Sequence, residues 1–448
     1  MKGRPGPPPG IRAISPARRR AVEVLREVLE RGGRATPLLA ERGGTLSPAD
    51  HDLFRHLVLG VLRRRAALDA ELAAVSRIPL AKLASPLREV LEVALYQLRH
   101  LDRVPEYAAV DEAVRHARGS GGEGAGKLVN AVLRTLLRRG PPAQADPASL
   151  DAAGLARRFS HPEFLVARWL DRFGAERTVA LLDSDNAPSG LDLLVNPRRT
   201  DRTRLAAALA AEGIETEMTA LSPLGLVVVS GNPLRSPLFP EGHFAIQDVG
   251  SQALPLLLPR GDTLVDVAAA PGGKSFAAIA LGCVRRVVAL DRSPARLLRV
   301  REARRRLGID EVSPAAADIL AAPLPAGRFD RVIYDAPCSG TGTLRKNPEI
   351  RYRVSRDAIE SLSRGQERGL AAASALAAPG GFILYSTCSL ELEENERVVR
   401  RVLDLCPELE PAPMEPPDGL RPFAEGHRLQ ILPGPANDGF TAHLLRRR

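Results

Sequence analysis

The stretch from Thr263 to Asp291, "TLVDVAAAPGGKSFAAIALGCVRRVVALD", decides the fold. It opens with a short apolar run, turns through Pro271, Gly272 and Gly273, continues helically from Lys274, and ends in a second apolar run closed by Asp291. Strand, tight loop, helix and strand form the repeating unit of a doubly wound parallel sheet, whose ligands lie at the carboxyl ends of the strands. The two glycines let backbone come close to a ligand, and the helix start offers free N–H groups. Asp291, about 20 residues beyond the first strand, is placed to accept hydrogen bonds from ribose hydroxyls. Neither GxGxxG nor GxxxxGK[ST] occurs in this strand–loop–helix stretch, which disfavours a dinucleotide or a nucleoside triphosphate there. A nucleoside-bearing cofactor without a pyrophosphate fits better, and S-adenosylmethionine is the natural one. Asp318, where a third strand should end, could receive an adenine amino group; taken alone it reads first as a solvated loop carboxylate.

Two further apolar runs extend the same sheet. "FDRVIYDAPCSGTG" (329–342) and "GGFILYSTCSLELEEN" (380–395) each read as a buried strand that ends by delivering a cysteine, Cys338 and Cys388. A single strand-end cysteine is most simply a small buried hydrophobe. Two of them at the ligand-binding edge, beside a cofactor loop, point to thiolate chemistry. Carbon 5 of cytosine is a poor nucleophile until a thiolate adds to carbon 6, so its methylation needs a nucleophilic cysteine and has a use for a second group that assists release. Glu393, Glu394 and Glu396 read as acids that favour a helix N-terminus.

The rest of the chain sets the context. Its 448 residues suffice for two or three domains. No run approaches the ~20 apolar residues of a membrane span, and the basic N-terminus lacks the apolar core of a secretory signal. The four cysteines show neither a disulfide framework nor a metal-site spacing, and the eight histidines have no ligand spacing. No metal is expected, and the expected compartment is the reducing cytoplasm. Residues 1 to 145 hold 25 Lys and Arg against 15 Asp and Glu, so the whole net charge of +10 sits there and the remainder balances. Nearly all of that surplus is arginine, which suits phosphate and so an RNA or DNA partner. Residues 17 to 140 read as a helical bundle, with Ser47 capping a helix that starts at Pro48, "GSGGEGAG" as a flexible connector, and "PPAQADPAS" as its end. From about 160, two helical patterns precede a short strand–helix–strand module. "LRKNPEIRYRVSR" (344–356) interleaves Arg345, Lys346, Arg351, Arg353 and Arg356 with Tyr352, a pattern suited to an RNA backbone and a stacked base.

"DVAAAPGGKS", "DAPCSGTGTLRKNPEIRYR" and "YSTCSLELEENE", in this order, resemble the RNA cytosine-5 methyltransferases of the NOL/NOP2/Sun family, and "FAIQDVGSQ" and "DGF" match it too. "VALYQLRHLDRVPEYAAVDEAV" and "KLVNAVLR" are similar to the NusB-like domain of its bacterial 16S rRNA branch. The resemblance spans nearly the whole chain. It implies a NusB-like RNA-binding domain over 1–145, a small α/β domain of ferredoxin or RRM type over 155–240, and a Rossmann-like methyltransferase domain over 241–448. It implies Cys388 as the covalent nucleophile, Cys338 as the cysteine that helps release product, and Asp335 as a group that hydrogen-bonds the cytosine. Ala268, Ala269, Ala270, Pro271, Gly272, Gly273, Lys274, Asp291, Asp318 and Asp335 would form the S-adenosylmethionine site. The implied partner is 16S rRNA, naked or in a partly assembled small subunit, met by a monomer without a membrane. The same chemistry on tRNA or another rRNA, or a non-catalytic RNA-binding assembly factor, are the alternatives. The chain departs from the family pattern at Ala268, where cysteine is frequent, at Tyr352, where tryptophan is, and at Thr441, which replaces a phenylalanine after "DGF".

Overall fold

A computed structural model describes residues 14–143, 145–321 and 324–448. The basic N-terminal stretch read from the sequence lies mostly outside them. The chain divides into two compact units, residues 1–186 with Asn347–Arg353, and residues 187–346 with 354–448.

The first unit is helical: α1 (Pro16–Arg31), α2 (Ala35–Gly43), α3 (Pro48–Ala73), α4 (Leu87–His100), α5 (Glu106–Arg139), α6 (Ala152–Phe159) and α7 (Glu163–Asn186). Helix α1 buries Ala21, Val22, Val24, Leu25 and Val28 on one face and stops at Gly32, whose φ of 67° is left-handed. Ser47 caps α3, its hydroxyl accepting the Asp50 N–H at 3.2 Å, as its position before Pro48 implies. The expected flexible connector "GSGGEGAG" is instead part of α5, interrupted only at Gly122 (φ 75°, ψ −171°). Ala117 and Ala125, buried on either side of the break, hold both halves against the bundle core, so packing outweighs the poor helix propensity of the glycines. The two helical stretches expected before the small α/β module, 161–174 and 175–186, together form α7, interrupted at Gly174 (φ 77°, ψ 170°), and cluster with this unit.

Segment Asn347–Arg353 also belongs here, and its anchor is Arg351. The guanidinium is buried and donates to the Arg63 carbonyl (2.6 Å), the Asn186 side-chain oxygen (2.8 Å) and the Asp185 carbonyl (2.9 Å). Beside it the Tyr352 hydroxyl donates to the Leu62 carbonyl at 2.5 Å, and Glu349 accepts the Ala35 N–H at 3.1 Å.

The second unit starts with a four-stranded antiparallel sheet in the order β2 (Glu215–Met218), β3 (Gly225–Ser230), β1 (Asp192–Val195), β4 (Phe244–Ile246). Helix α8 (Arg202–Ala211) covers it through Leu205 and Leu209, over Leu193, Val195 and Phe244. After α9 (Val249–Ala253) comes the large sheet. Its parallel half is β7 (Val312–Ala316), β6 (Arg286–Asp291), β5 (Thr263–Asp266), β8 (Phe329–Asp335) and β9 (Ala377–Thr387), neighbours in that order. Helices α10 (Gly273–Ala280) and α11 (Pro294–Leu307) pack on one face, α12 (Arg356–Ser374) and α13 (Glu396–Leu405) on the other. Leu264 of β5 enters the first core and Val265 the second, which is why these strands read as unbroken apolar runs. The sheet is mixed where a parallel one was expected. Beyond β9 it continues with antiparallel β13 (Phe440–Arg447), β12 (Arg428–Ile431) and β11 (Ala424–Glu425), and β10 (Leu409–Pro411) pairs with β13. Among the described residues no helix is long and apolar enough to cross a membrane.

Arg351 yields a stability prediction. Arg351→Met removes the donor that three buried oxygens share, each lost bond costing about 1–3 kcal/mol. The first unit should lose about 3 kcal/mol or more in urea unfolding followed by helix signal, with cofactor affinity of the folded protein unchanged.

Candidate active site and cofactor cleft

Strand order reverses at β5, which pairs with β6 on one side and β8 on the other. The crevice beyond the carboxyl ends of β5 and β8 is the switch point at which such sheets bind ligands. A hollow of about 560 Å³ opens at the other end of the strands, lined by Thr263, Arg286 and Asp310 among others. It holds none of the expected groups, so the topological argument locates the site.

On the cofactor side, Ala268, Ala269 and Ala270 run from β5 into Pro271, Gly272 and Gly273, where α10 starts. Gly272 has a φ of 102°, and a Cβ there would lie 2.8 Å from the Phe276 ring, so only glycine fits. Asp291 closes β6 almost fully buried. It accepts the Ala270 N–H at 3.2 Å and the Ser293 N–H at 2.9 Å, and pairs with the exposed Arg296 at 3.3 Å. Asp318 lies just past β7, exposed, accepting the Leu320 N–H at 3.0 Å.

Two residues that the sequence reading passed over complete this cleft. Asp266, at the end of β5, accepts the Ser275 hydroxyl at 2.8 Å while its other oxygen is buried without a partner. Burial pushes its pKa up to about 6 against the pull of Lys274 and Ser275. Gln247 is 8% exposed, and neither its amide nitrogen nor its oxygen has a partner. It lies against Gly273, where a Cβ would come within 3.0 Å of its amide carbon. Buried polar atoms of this kind are rare unless a ligand or water satisfies them. Together with the amides opening α10 and the Asp291 carboxylate, they match a ligand with an amino-acid end and a ribose diol. The residues present therefore fit S-adenosylmethionine.

On the thiol side, Asp335 at the end of β8 pairs with Lys274 at 2.6 Å and accepts the Ser386 hydroxyl at 2.8 Å. The Lys274 side chain is 17% exposed; burial opposes its charge, but Asp335, Asp266 and Cys388 together raise its pKa. Cys338 and Cys388 lie with their sulfurs 3.2 Å apart. The hydrogen bond to Cys388 and burial, then the charges of Cys388, Glu394 and Asp335, push the Cys338 thiol well above its ordinary value. Cys338 is thus held as a neutral thiol. Backbone locks the two loops: the Gly342 N–H donates to the Cys388 carbonyl at 2.9 Å and the Gly439 N–H to Gly342 at 2.7 Å. Thr441, where the family pattern has phenylalanine, donates to the Ser389 carbonyl at 3.3 Å and packs by hydrogen bonding.

Two expectations need correction. Glu394 does not serve a helix dipole; it ends a 3₁₀ turn, fully buried, and accepts bonds from both cysteine loops. Nor do Arg345 and Lys346 form a free RNA-facing patch. Lys346 is enclosed by Asp248 (2.7 Å), Asp192 (3.1 Å) and Asp438 (3.1 Å), and Arg345 bonds the carbonyls of Gly434 and Pro435. Arg351 is the buried anchor of the helical unit. Only Tyr352, 37% exposed, with Arg353 and Arg356, keeps a solvent-facing surface.

Family models match three parts of the chain: "16S rRNA methyltransferase RsmB/F" over residues 253–446, "NusB family" over 15–138, and an RsmF/B-like ferredoxin-like domain over 161–235. The chain is 33% identical over 416 residues to the probable ribosomal RNA small subunit methyltransferase B of Bacillus subtilis, covering 91% of this chain and 93% of that one. It is 32% identical to ribosomal RNA small subunit methyltransferase B of Vibrio cholerae, covering 95% and 96%. The crystal structure of PH0851 superposes with a TM-score of 0.78 at 24% identity, covering 98% of this chain and all of that one. NSun6 from Pyrococcus horikoshii, solved with SFG, gives 0.53 at 20% identity, covering 62% and 96%. These structures share the fold.

Removing the Asp291 carboxylate tests the cofactor cleft. Asp291→Ala should forfeit charge-assisted hydrogen bonds worth about 1.5–3 kcal/mol, a tenfold to hundredfold rise in the S-adenosylmethionine Kd. Titration calorimetry on the folded variant reads it directly, and an unchanged Kd would remove Asp291 from the cleft's ligands.

Proposed function

Because the chain belongs to the RsmB/F family of 16S rRNA methyltransferases, we propose that it methylates carbon 5 of a cytosine in small-subunit rRNA through a covalent bond to Cys388. The observation that carries this reading is the pair of thiols 3.2 Å apart at the ends of adjacent strands, beside the cofactor loop. S-adenosylmethionine supplies the electrophilic methyl group.

The chain's residues divide the remaining work. Cys388 adds to carbon 6, and carbon 5 becomes electron-rich enough to be alkylated. The Lys274 ammonium interacts electrostatically with Cys388 and has the right sign to accompany a thiolate. Asp335, tethered by Lys274 and Ser386 with its side chain 30% exposed, faces the cleft as a hydrogen-bond partner for the cytosine ring. After methylation the carbon 5 proton leaves to a base and the carbon 6–sulfur bond breaks. Cys338, a neutral thiol in contact with the departing sulfur, donates a hydrogen bond to the returning thiolate. Residues 1–145, which carry the basic surplus, serve as the RNA-binding domain, 155–240 as the small α/β domain and 241–448 as the catalytic domain. A cytosine in stacked rRNA must be extruded to reach either thiol, so RNA binding and adduct formation are separable steps.

That separation gives the test. Cys388→Ala should bind RNA yet form neither methylated product nor adduct. Cys338→Ala should form an adduct that survives a denaturing gel with labelled RNA and S-adenosylmethionine. Adduct in Cys388→Ala but not in Cys338→Ala would reverse the two roles. Bisulfite mapping of rRNA from cells with and without the protein would identify the cytosine, and an unchanged map would refute the rRNA substrate.

A further inference from the structure

Glu394 is a charged side chain with 0% exposure, and its bonds run to both cysteine loops. One carboxylate oxygen accepts the Ser339 N–H at 2.8 Å and the Gln366 amide at 3.0 Å. The other accepts the Ser389 hydroxyl at 2.5 Å and the Ser339 hydroxyl. Ser339 follows Cys338 and Ser389 follows Cys388, so one carboxylate bridges the residues next to both sulfurs. Gln366 also donates to the Pro337 carbonyl at 2.9 Å, gripping the Cys338 loop from α12. Glu394 is fixed in turn through its own carbonyl, which accepts the Tyr385 hydroxyl at 2.5 Å. Each group that meets the carboxylate can donate to it, an arrangement that suits an acceptor-only ionised group.

We propose that Glu394 is the positioning residue of the thiol pair, its carboxylate tying the Cys338 loop to the Cys388 loop and presenting a negative charge to Cys338. The inference rests on the two-cysteine reading and deepens it by naming what makes the two sulfurs unequal. The ionisable groups around Cys338 are Cys388, Glu394, Asp335, Tyr334 and Tyr385, with Lys274 across the site beside Asp335 and Cys388. The only cation of that set pairs with Asp335, whereas the Glu394 charge acts on Cys338 and opposes its ionisation. A Cys338 kept as a thiol can donate to Cys388, and a Cys338 turned thiolate would repel it.

The test reads the Cys338 thiol rather than turnover. In a Cys388→Ala background only one of the two site thiols titrates, and iodoacetamide labelling resolved by peptide mass spectrometry gives its rate against pH. Glu394→Gln keeps the shape but loses the charge, and should speed Cys338 alkylation at pH 8 about tenfold, the equivalent of one pH unit of thiol titration. Glu394→Asp keeps the charge and should stay within about twofold of the parent. With Cys388 restored, Glu394→Gln should accumulate the denaturation-resistant RNA adduct, because release slows while attack persists. A folded Glu394→Gln protein with an unchanged Cys338 alkylation profile overturns the proposal. Should Cys338→Ala form no adduct, the two-cysteine reading fails while the alkylation profiles still decide the part played by Glu394. If Glu394→Gln does not fold, the wild-type chain provides the measurement: the Ser339 amide should exchange with solvent as slowly as the β9 amides, and exchange at the rate of an exposed loop sinks the idea.

Discussion

Parallel pairing of β8 with β9, in the register that sets Asp335 opposite Ser386, is the constraint on which the site depends. From that pair Cys338 lies three residues onward on one strand and Cys388 two residues onward on the other, so the pairing delivers both thiols to one place. A slip of one residue would turn the side chains of either strand to the opposite face. Burial fixes the register: Val332 and Ile383 enter the core beneath α12 and α13, while Ile333 and Leu384 enter the core beneath α10 and α11. The apolar alternation that builds the sheet therefore also sets the spacing of the two sulfurs.

Buried ionic groups then fix what the sheet leaves loose. Lys274 connects the cofactor loop to the end of β8 through Asp335, so both halves of the cleft share one ion pair. Lys346 ties the loop after Cys338 to Asp192 on β1, to the Asp248 cap of α9 and to Asp438 beside the Gly439 crossing. Three carboxylates around one ammonium leave excess negative charge, and burial with that repulsion pushes Asp438 up to about 7 and Asp192 to about 6. Buried ion pairs are poor sources of net stability but strict about geometry, because breaking one strands a charge. Such pairs suit a site whose thiols come from loops rather than from strand interiors.

Much of this was legible in the sequence because it depends on local pattern. The strand–loop–helix of Thr263–Ala280, the glycines beside Pro271, and the two strand-end cysteines all announce themselves within a few residues. What escaped was set by distant partners. The basic run from Arg345 to Arg353 looks solvated until the acids that neutralise Lys346, at 192, 248 and 438, are brought to it by the fold. Arg351 meets carbonyls from residues 63 and 185, and no local pattern signals that. Gln247 and Asp266 stand out only as polar atoms left without partners. The antiparallel strands beyond β9 were missed because β11 and β12 are short and lack a helical crossover between them.

Glu394 illustrates the limit most sharply. In "LEEN" it is one acid of a cluster, and a helix does begin two residues later at Glu396. The dipole reading accounts for Glu396 but not for a carboxylate with no solvent exposure. A buried charge is costly unless its bonds are complete, and completing these requires the hydroxyls of Ser339 and Ser389 and the amide of Gln366. Each of the three is a residue of small or uncharged side chain that looks unremarkable by itself. The serine after each cysteine thus gains a physical reason: it supplies the hydroxyl that lets one buried carboxylate hold two sulfurs in place.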